Sequence, residues 1–295
     1  MLDYQGIAAL AAVIETQSFQ RAAERLFVTQ SAVSQRIKSI ENFYGEPVLI
    51  RTLPYQATTL GLALLGHFRR ILLLEASLQE ELLAQEQHQP ISIAISRDSL
   101  ETWFIPVINR LNTLHPSLIK IIADDQEATL EYLQKGSVSS CASTSSKRLS
   151  GCKTEFLGYL DYILVASPEF KKKYFSKGDR VSNLIKAPAI LFDHKDTLHK
   201  DYLSHCFNIS DDEVTYHVVP SVAGFKRFVL NGYAHSLIPA IDIQDELQSG
   251  ALINLFPKKI WEMPVYWHSW AIETRLTKAF NELVCKVARE VLRQK

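Results

Sequence analysis

Ser31, Ser34, Gln35 and Lys38 fall at intervals that stack them along one side of a helix. Their hydroxyl, amide and ammonium groups can hydrogen-bond base edges or donate to phosphates. Solvated helix faces usually carry Glu beside Lys, whereas this stripe has no carboxylate. Gln30, just ahead, adds an amide whose donor–acceptor pair suits adenine. Arg36 lies in the same stretch. Farther on come Arg51 and Thr52, Arg51 with a charge for a backbone phosphate. The chemistry these residues support is recognition of duplex DNA.

A second set of polar residues follows strand-like runs. Ser96-Arg97-Asp98-Ser99 comes after Ile91–Ile95 and opens a helix, so hydroxyls and free N–H groups there can hold a carboxylate. The competing reading makes Asp98 or Ser99 a plain helix cap. Asp124-Asp125 follows a second strand, and two carboxylates suit an ammonium or guanidinium. Alternation along a strand sends neighbours to opposite faces, which favours Asp125 alone as a ligand contact. Ser143-Thr144 and Asp193-His194 end two further runs. Spacing alone supports a small polar ligand; a carboxylate seat beside acidic groups describes a basic amino acid. A Ser-His-Asp set drawn from Ser96, His194 and Asp193 would instead suit an enzyme acting on a small polar substrate. Adjacent Asp and His point different ways on a strand, which is poor geometry for a triad, and no G-x-S-x-G, phosphate loop or dinucleotide fingerprint is present.

These residues need elements to position them. Val33, Ile37, Ile40 and Tyr44 share a helix side roughly 140° from the polar stripe, which predicts an amphipathic helix ended by Gly45 and Pro47. Ser18 can cap the preceding helix, where Ala22 and Ala23 allow close approach, and Ile7, Leu10, Ala11 and Ile14 mark a helix before that. Val48–Thr52, with a turn at Pro54-Tyr55-Gln56, predicts a hairpin wing. Together these are a helix-turn-helix with a wing. Residues 1–60 hold five Lys/Arg and five Asp/Glu, so positive charge is local, at Arg25, Arg36 and Lys38. Non-specific affinity should be modest and salt-dependent, and tight binding then needs paired reading heads.

From Thr58 to His88 no proline occurs, and Leu64, Phe68, Ile71, Leu78 and Leu82 form a heptad-like seam. About 31 helical residues would extend roughly 46 Å, and a partner helix from a second subunit is the simplest cover for the seam. The polar tract Ala84–Pro90 reads as a boundary. Beyond it, β and α periods alternate, which predicts a parallel sheet with covering helices. Strand-like Val265–Trp270 and an amphipathic helix from Thr274 to Leu292 return to the first unit, giving a hinged, two-lobed binder. The four cysteines, 141, 152, 206 and 285, have no C-x-x-C spacing and read as reduced thiols. No cofactor or metal site is expected. The N-terminus lacks a signal-peptide pattern and no apolar run is long enough to span a bilayer, so a cytoplasmic location and no membrane partner are expected.

The N-terminal segment resembles a LysR-type transcriptional regulator. The matching residues are Phe19, Ala22-Ala23, Leu26, Thr29-Gln30-Ser31-Ala32-Val33-Ser34, Ile37, Ile40-Glu41, Gly45, Pro47, Arg51-Thr52, Thr58 and Gly61. Within that family, Ser34–Lys38, Phe192-Asp193-His194, Tyr266-Trp267-His268 and Glu273-Thr274-Arg275 are similar to the branch that controls lysine and arginine export. The resemblance implies an α/β fold with an all-α winged helix-turn-helix at residues 1–58, a linker (dimerisation) helix at 59–89, and a periplasmic-binding-protein-like effector domain at 90–295. Lobe I of that domain would comprise 90–162 and 265–295, and lobe II 163–264. It also implies promoter or operator DNA, RNA polymerase, a homodimer or homotetramer, and L-lysine or L-arginine as effector, with a basic-amino-acid exporter among the target genes.

Overall fold

The computed structural model describes residues 2–83, 90–114, 118–176, 181–193, 195–210 and 213–295; of residues 76, 77 and 79–83 it describes the backbone only. Helices α1 (Tyr4–Thr16), α2 (Phe19–Arg25) and α3 (Gln30–Tyr44) close around Ile7, Leu10, Val13, Ala22, Val33, Ile37 and Ile40. Each starts on a side-chain cap that satisfies a free N–H: Asp3 accepts from Gly6, Ser18 from Arg21 and Thr29 from Ala32. Gly45 ends α3 at φ +72°, a left-handed position that glycine takes without Cβ cost. Strands β1 (Leu49–Ile50) and β2 (Gln56–Ala57) pair antiparallel as a short wing. Tyr44 departs from expectation: the last turn of α3 projects beyond the core, and this side chain is exposed.

Helix α4 (Thr59–Leu83) leaves the wing at Gly61, where a Cβ would lie 2.1 Å from the Val48 carbonyl oxygen. The expected seam does not stay on one surface. Leu64 and Leu65 are buried in the reading-head core, and Phe68 packs against Tyr4, so this part is covered by its own chain. Leu72, Leu74 and Leu78 are exposed, and Leu82 lies outside the described side chains.

Beyond residue 90 the chain builds two lobes. Strands β3 (Ile91–Ser96), β4 (Ile119–Asp124) and β5 (Ser140–Ser143) are parallel, with β3 between the other two. After β3 the chain turns into a run of helix: α5 (Arg97–Ser99), a π-helical turn (Leu100–Phe104) and α6 (Ile105–Leu114). Helix α7 (Thr129–Gln134) joins β4 to β5. Strands β6 (Cys152–Ala166) and β11 (Trp261–Trp270) are long, pair antiparallel and pass through both lobes. Their register shifts at Val265/Tyr266 near Gly158. That glycine sits at φ +143°, and a Cβ there would lie 2.8–2.9 Å from Leu292, Arg293 and Gln294.

The second lobe holds α8 (Pro168–Tyr174), α9 (Val181–Lys186), β7 (Ala189–Leu191), α10 (Leu198–Phe207), β8 (Tyr216–Val218), α11 (Val222–Leu230), β9 (Ser236–Pro239), α12 (Gln244–Gln248) and β10 (Ile253–Asn254). Helix α13 (Arg275–Val291) then returns to the first lobe, where Phe280, Val284, Val287 and Ala288 are buried with Trp103, Phe104 and Trp267. Among the described residues no helix is long and apolar enough to cross a membrane.

Candidate functional sites: the reading helix and the interlobe cleft

On α3 the side chains of Gln30, Ser31, Gln35 and Lys38 are exposed, while Ser34 and Arg36 are half-buried. Ser31, Gln35 and Lys38 fall on the helix side opposite the buried Val33 and Ile37, whereas Gln30 projects from the first turn. The positive patch is smaller than the sequence suggests, because folding brings acids from other elements. Arg25 pairs with Glu15 of α1 at 2.5 Å. Arg51 of the wing donates to Glu41 at 2.9 Å, and Glu41 also accepts the Val48 N–H. Arg36 and Lys38 have no ion-pair partner among the described residues. Thr52 is exposed at the wing tip. Phe27, in the turn between α2 and α3, is 96% exposed and sits at φ +53°, a left-handed backbone conformation usually given to glycine or asparagine.

The second site is a cleft of about 520 Å³ between the lobes, at the carboxyl ends of β3, β4 and β5, where open parallel sheets place ligands. Ser96, Asp98, Asp125 and Asp193 line it together. The hydroxyl of Ser96 caps the following helix by accepting the Ser99 N–H. Asp98 accepts a 2.7 Å hydrogen bond from the Tyr162 hydroxyl. Asp193 accepts the Lys195 N–H. Ser99 and Ser143 are buried outside the lining; Ser143 is held at 3.0 Å from His268 Nε2, and its neighbour Thr144 faces the cleft instead. His194 lies outside the described residues. Both Asp124 and Asp125 reach the cleft, because β4 ends at Asp124 and strand alternation no longer governs Asp125. Asp124 accepts from Tyr132 at 2.6 Å, which holds its carboxyl below the usual range.

The cleft is strongly acidic. Asp98, Glu101, Asp124, Asp125, Glu127, Asp193, Asp196, Asp201, Asp242 and Glu262 line it, against Arg97, Lys195 and Lys226 as cations. Lys226 is engaged with Glu246 at 2.7 Å. Burial, with repulsion from Asp196, Glu101 and Asp242, pushes the Asp98 carboxyl up to about 6 despite the Tyr162 hydrogen bond. Burial also raises Asp196, Glu101 and Asp242, the last two repelling each other. Unrelieved negative charge therefore faces itself across the gap, and a cation entering there relieves it. On the floor, His199 is buried and kept neutral by desolvation. Tyr162, Asp196, Glu101 and Asp242 were not legible as site residues: they lie in strand, loop and helix segments with no motif, and only the tertiary fold gathers them.

Helix α4 docks on the first lobe. Gly136, at φ +66°, packs on Gly66 so closely that a Cβ would lie 2.7 Å from the Gly66 Cα. Arg69 donates to the Lys135 carbonyl, Arg70 lies 5.3 Å from the Trp270 ring, and Leu73 packs on the cluster of Leu130, Leu133 and Val138.

Two family models match the chain. The bacterial regulatory helix-turn-helix protein model of the lysR family covers residues 4–62, and the LysR substrate binding domain model covers residues 84–288. The chain is 42% identical over 295 residues to the HTH-type transcriptional regulator ArgP of Vibrio cholerae, covering 99% of each. The crystal structure of ArgP from Mycobacterium tuberculosis is similar throughout, with a TM-score of 0.89, 32% identity and full coverage of both chains. Full-length LysG from Corynebacterium glutamicum with bound effector Arg has a TM-score of 0.80 at 28% identity, covering 99% of this chain and 100% of that one. With a reading helix, a wing and a two-lobed effector domain in one chain, this protein belongs to the LysR family of bacterial transcriptional regulators.

Proposed function

We propose that the chain is a regulator whose interlobe cleft takes L-arginine or L-lysine and whose α3 reads operator DNA. The observation that carries the effector assignment is the excess of carboxylates in the cleft, with Asp98 pushed up to about 6. A cation bridging Asp98 on one lobe and Asp196 on the other stabilises one lobe angle, and it shifts DNA binding by its differential affinity for the two states. The volume of about 520 Å³ is within the roughly 300–1,000 Å³ of small-ligand sites. The arginine bound to LysG supports the same class. The contacts assigned to the effector are Ser96, Asp98, Asp125 and Asp193, with Thr144 in the place expected for Ser143.

On the DNA side, Gln30, Ser31, Ser34 and Gln35 are assigned to bases, and Arg36, Lys38, Arg51 and Thr52 to the backbone. We assign residues 1–58 to the reading head, 59–89 to the linker segment and 90–295 to the effector unit, with lobe II at 163–264; α4 is described as far as Leu83. Exposed Leu72, Leu74 and Leu78 support self-association through α4, which supplies the second reading head that a weakly charged domain needs. RNA polymerase as partner, control of a basic-amino-acid exporter and action in the cytoplasm follow from the family branch. We read the cleft as a sensor and not as an active site: the Ser96 hydroxyl accepts a backbone N–H as a cap, and Asp193 accepts another.

Calorimetric titration of the full chain tests the effector assignment. L-Arginine or L-lysine should give saturable heat, and L-citrulline, which keeps the shape of arginine without its charge, should bind at least about tenfold more weakly. Equal binding of citrulline, or no heat from either basic amino acid at millimolar concentration, would reject it.

A further inference from the structure

The one cation of the first lobe that enters the cleft is already occupied among the described residues. Arg97 leaves the end of β3 and lays its guanidinium over the ring of Phe192, 4.3 Å from guanidinium carbon to ring centroid. Phe192 follows β7 and belongs to the second lobe, so this contact crosses the gap. The same guanidinium is 3.9 Å from Asp124 on its own lobe. An aromatic face and a carboxylate are the two partners a free guanidinium or ammonium would seek. Both side chains of the Arg97–Asp124 pair are 35% exposed, so the seat is reachable from solvent. Elsewhere in the cleft Asp98 and Asp196 repel each other across the gap; the Arg97–Phe192 contact spans the same gap as an attraction.

We propose that Arg97 is a specificity-determining residue of the cleft: its guanidinium, seated between Asp124 and Phe192, is a built-in rival for the cation of the effector. A ligand cation that takes the Phe192 face must displace Arg97, and one that binds only at the Asp98 end meets Arg97 as a neighbouring like charge. In both cases Arg97 lowers the affinity for cationic ligands and so sets the concentration at which the cleft fills. The proposal rests on the reading of the cleft as a cation-binding effector site.

The test uses the full chain with Arg97→Met, which keeps an apolar stem of similar length and removes the charge, beside the parent. Titration with L-arginine and with agmatine, its decarboxylated form, should show both binding about 3- to 30-fold tighter to the variant, the range of a partly desolvated cation–π contact. Weaker arginine with unchanged agmatine would make Arg97 an anchor for the ligand carboxylate and overturn the proposal; unchanged affinity for both would overturn it as well. Hydrogen exchange of the ligand-free proteins gives a second readout that needs no ligand. Residues 97–104 and 189–193 should exchange faster in the variant, because the interlobe contact is gone. If the parent binds neither compound, the effector assignment fails, whereas equal exchange rates in these segments sink the clasp on its own.

Discussion

Replacing Asp98 with Asn should make the ligand-free protein more stable while damaging its response to arginine. The Asp98 carboxyl sits at about 6 against an ordinary 3.8, chiefly because burial penalises its charge. Between those values the folded chain holds the proton more tightly than the unfolded chain. Asp98 therefore contributes stability that is present in full below pH 3.8 and lost as the pH rises through about 6. At 1.36 kcal/mol per pKa unit the difference is at most about 3 kcal/mol near pH 7.5, and water entering from the cleft mouth trims this to about 1–3 kcal/mol. Asn resembles the protonated acid, and its carbonyl still accepts from the Tyr162 hydroxyl. Urea unfolding of the effector-domain transition at pH 7.5 and pH 4 measures the effect. The variant should be more stable at pH 7.5, with the gap falling to roughly a fifth by pH 4, where Asp98 in the parent is itself mostly protonated. Arginine affinity should fall about 10- to 100-fold for loss of a charge-assisted contact. A variant no more stable than the parent at pH 7.5, or a gain of equal size at both pH values, would show that burying the Asp98 charge costs the fold nothing.

For the parent chain, arginine affinity should fall by up to about tenfold per pH unit below about 6, as Asp98 takes up a proton that competes with the ligand; calorimetry from pH 7.5 to 5 reads this slope. Gln30→Ala or Ser34→Ala should cost about 1–3 kcal/mol of base discrimination, while Arg51→Ala should weaken all sequences alike and flatten the salt dependence in a binding assay. Gly136→Ala adds a Cβ 2.7 Å from the Gly66 Cα at a left-handed φ and should destabilise by about 1–3 kcal/mol, seen as a lower melting temperature with earlier proteolysis of α4. Leu72→Glu with Leu78→Glu should reduce the oligomeric state measured by light scattering, because exposed leucines on α4 are the surface assigned to the partner helix.

The reading head was legible because its signals are local. Caps at Ser18 and Thr29, the stop at Gly45 and the stripe of Val33, Ile37 and Ile40 all act within a few residues. Residues 152–161 of β6 were not, since Lys153, Thr154 and Glu155 break the apolar run and Gly158 interrupts it, although burial alternates from Cys152 to Phe156. Spacing on α4 makes its apolar residues one surface; tertiary contacts split them between the reading head, the first lobe and solvent. At the cleft, Asp98, Asp125 and Asp193 could be found as polar residues after strands. Arg97 with Phe192 and Tyr162 with Asp98 could not, because each pair spans a separation that no sequence period encodes.

The docking of α4 on the first lobe decides which part of the molecule is the frame and which is the lever. Gly66 on Gly136, Arg69 on Lys135 and Leu73 among Leu130 and Leu133 bolt the reading head, the linker helix and the first lobe into a common mount. The second lobe joins that mount through β6 and β11, whose register slips beside Gly158, and touches it again where Arg97 meets Phe192. If the proposed effector draws the lobes together, this mount would keep the reading head fixed relative to the first lobe while the second lobe swings. In that scheme DNA would sense the swing through whatever touches the second lobe, so a partner subunit seated there, and not the linker of the same chain, would carry the message.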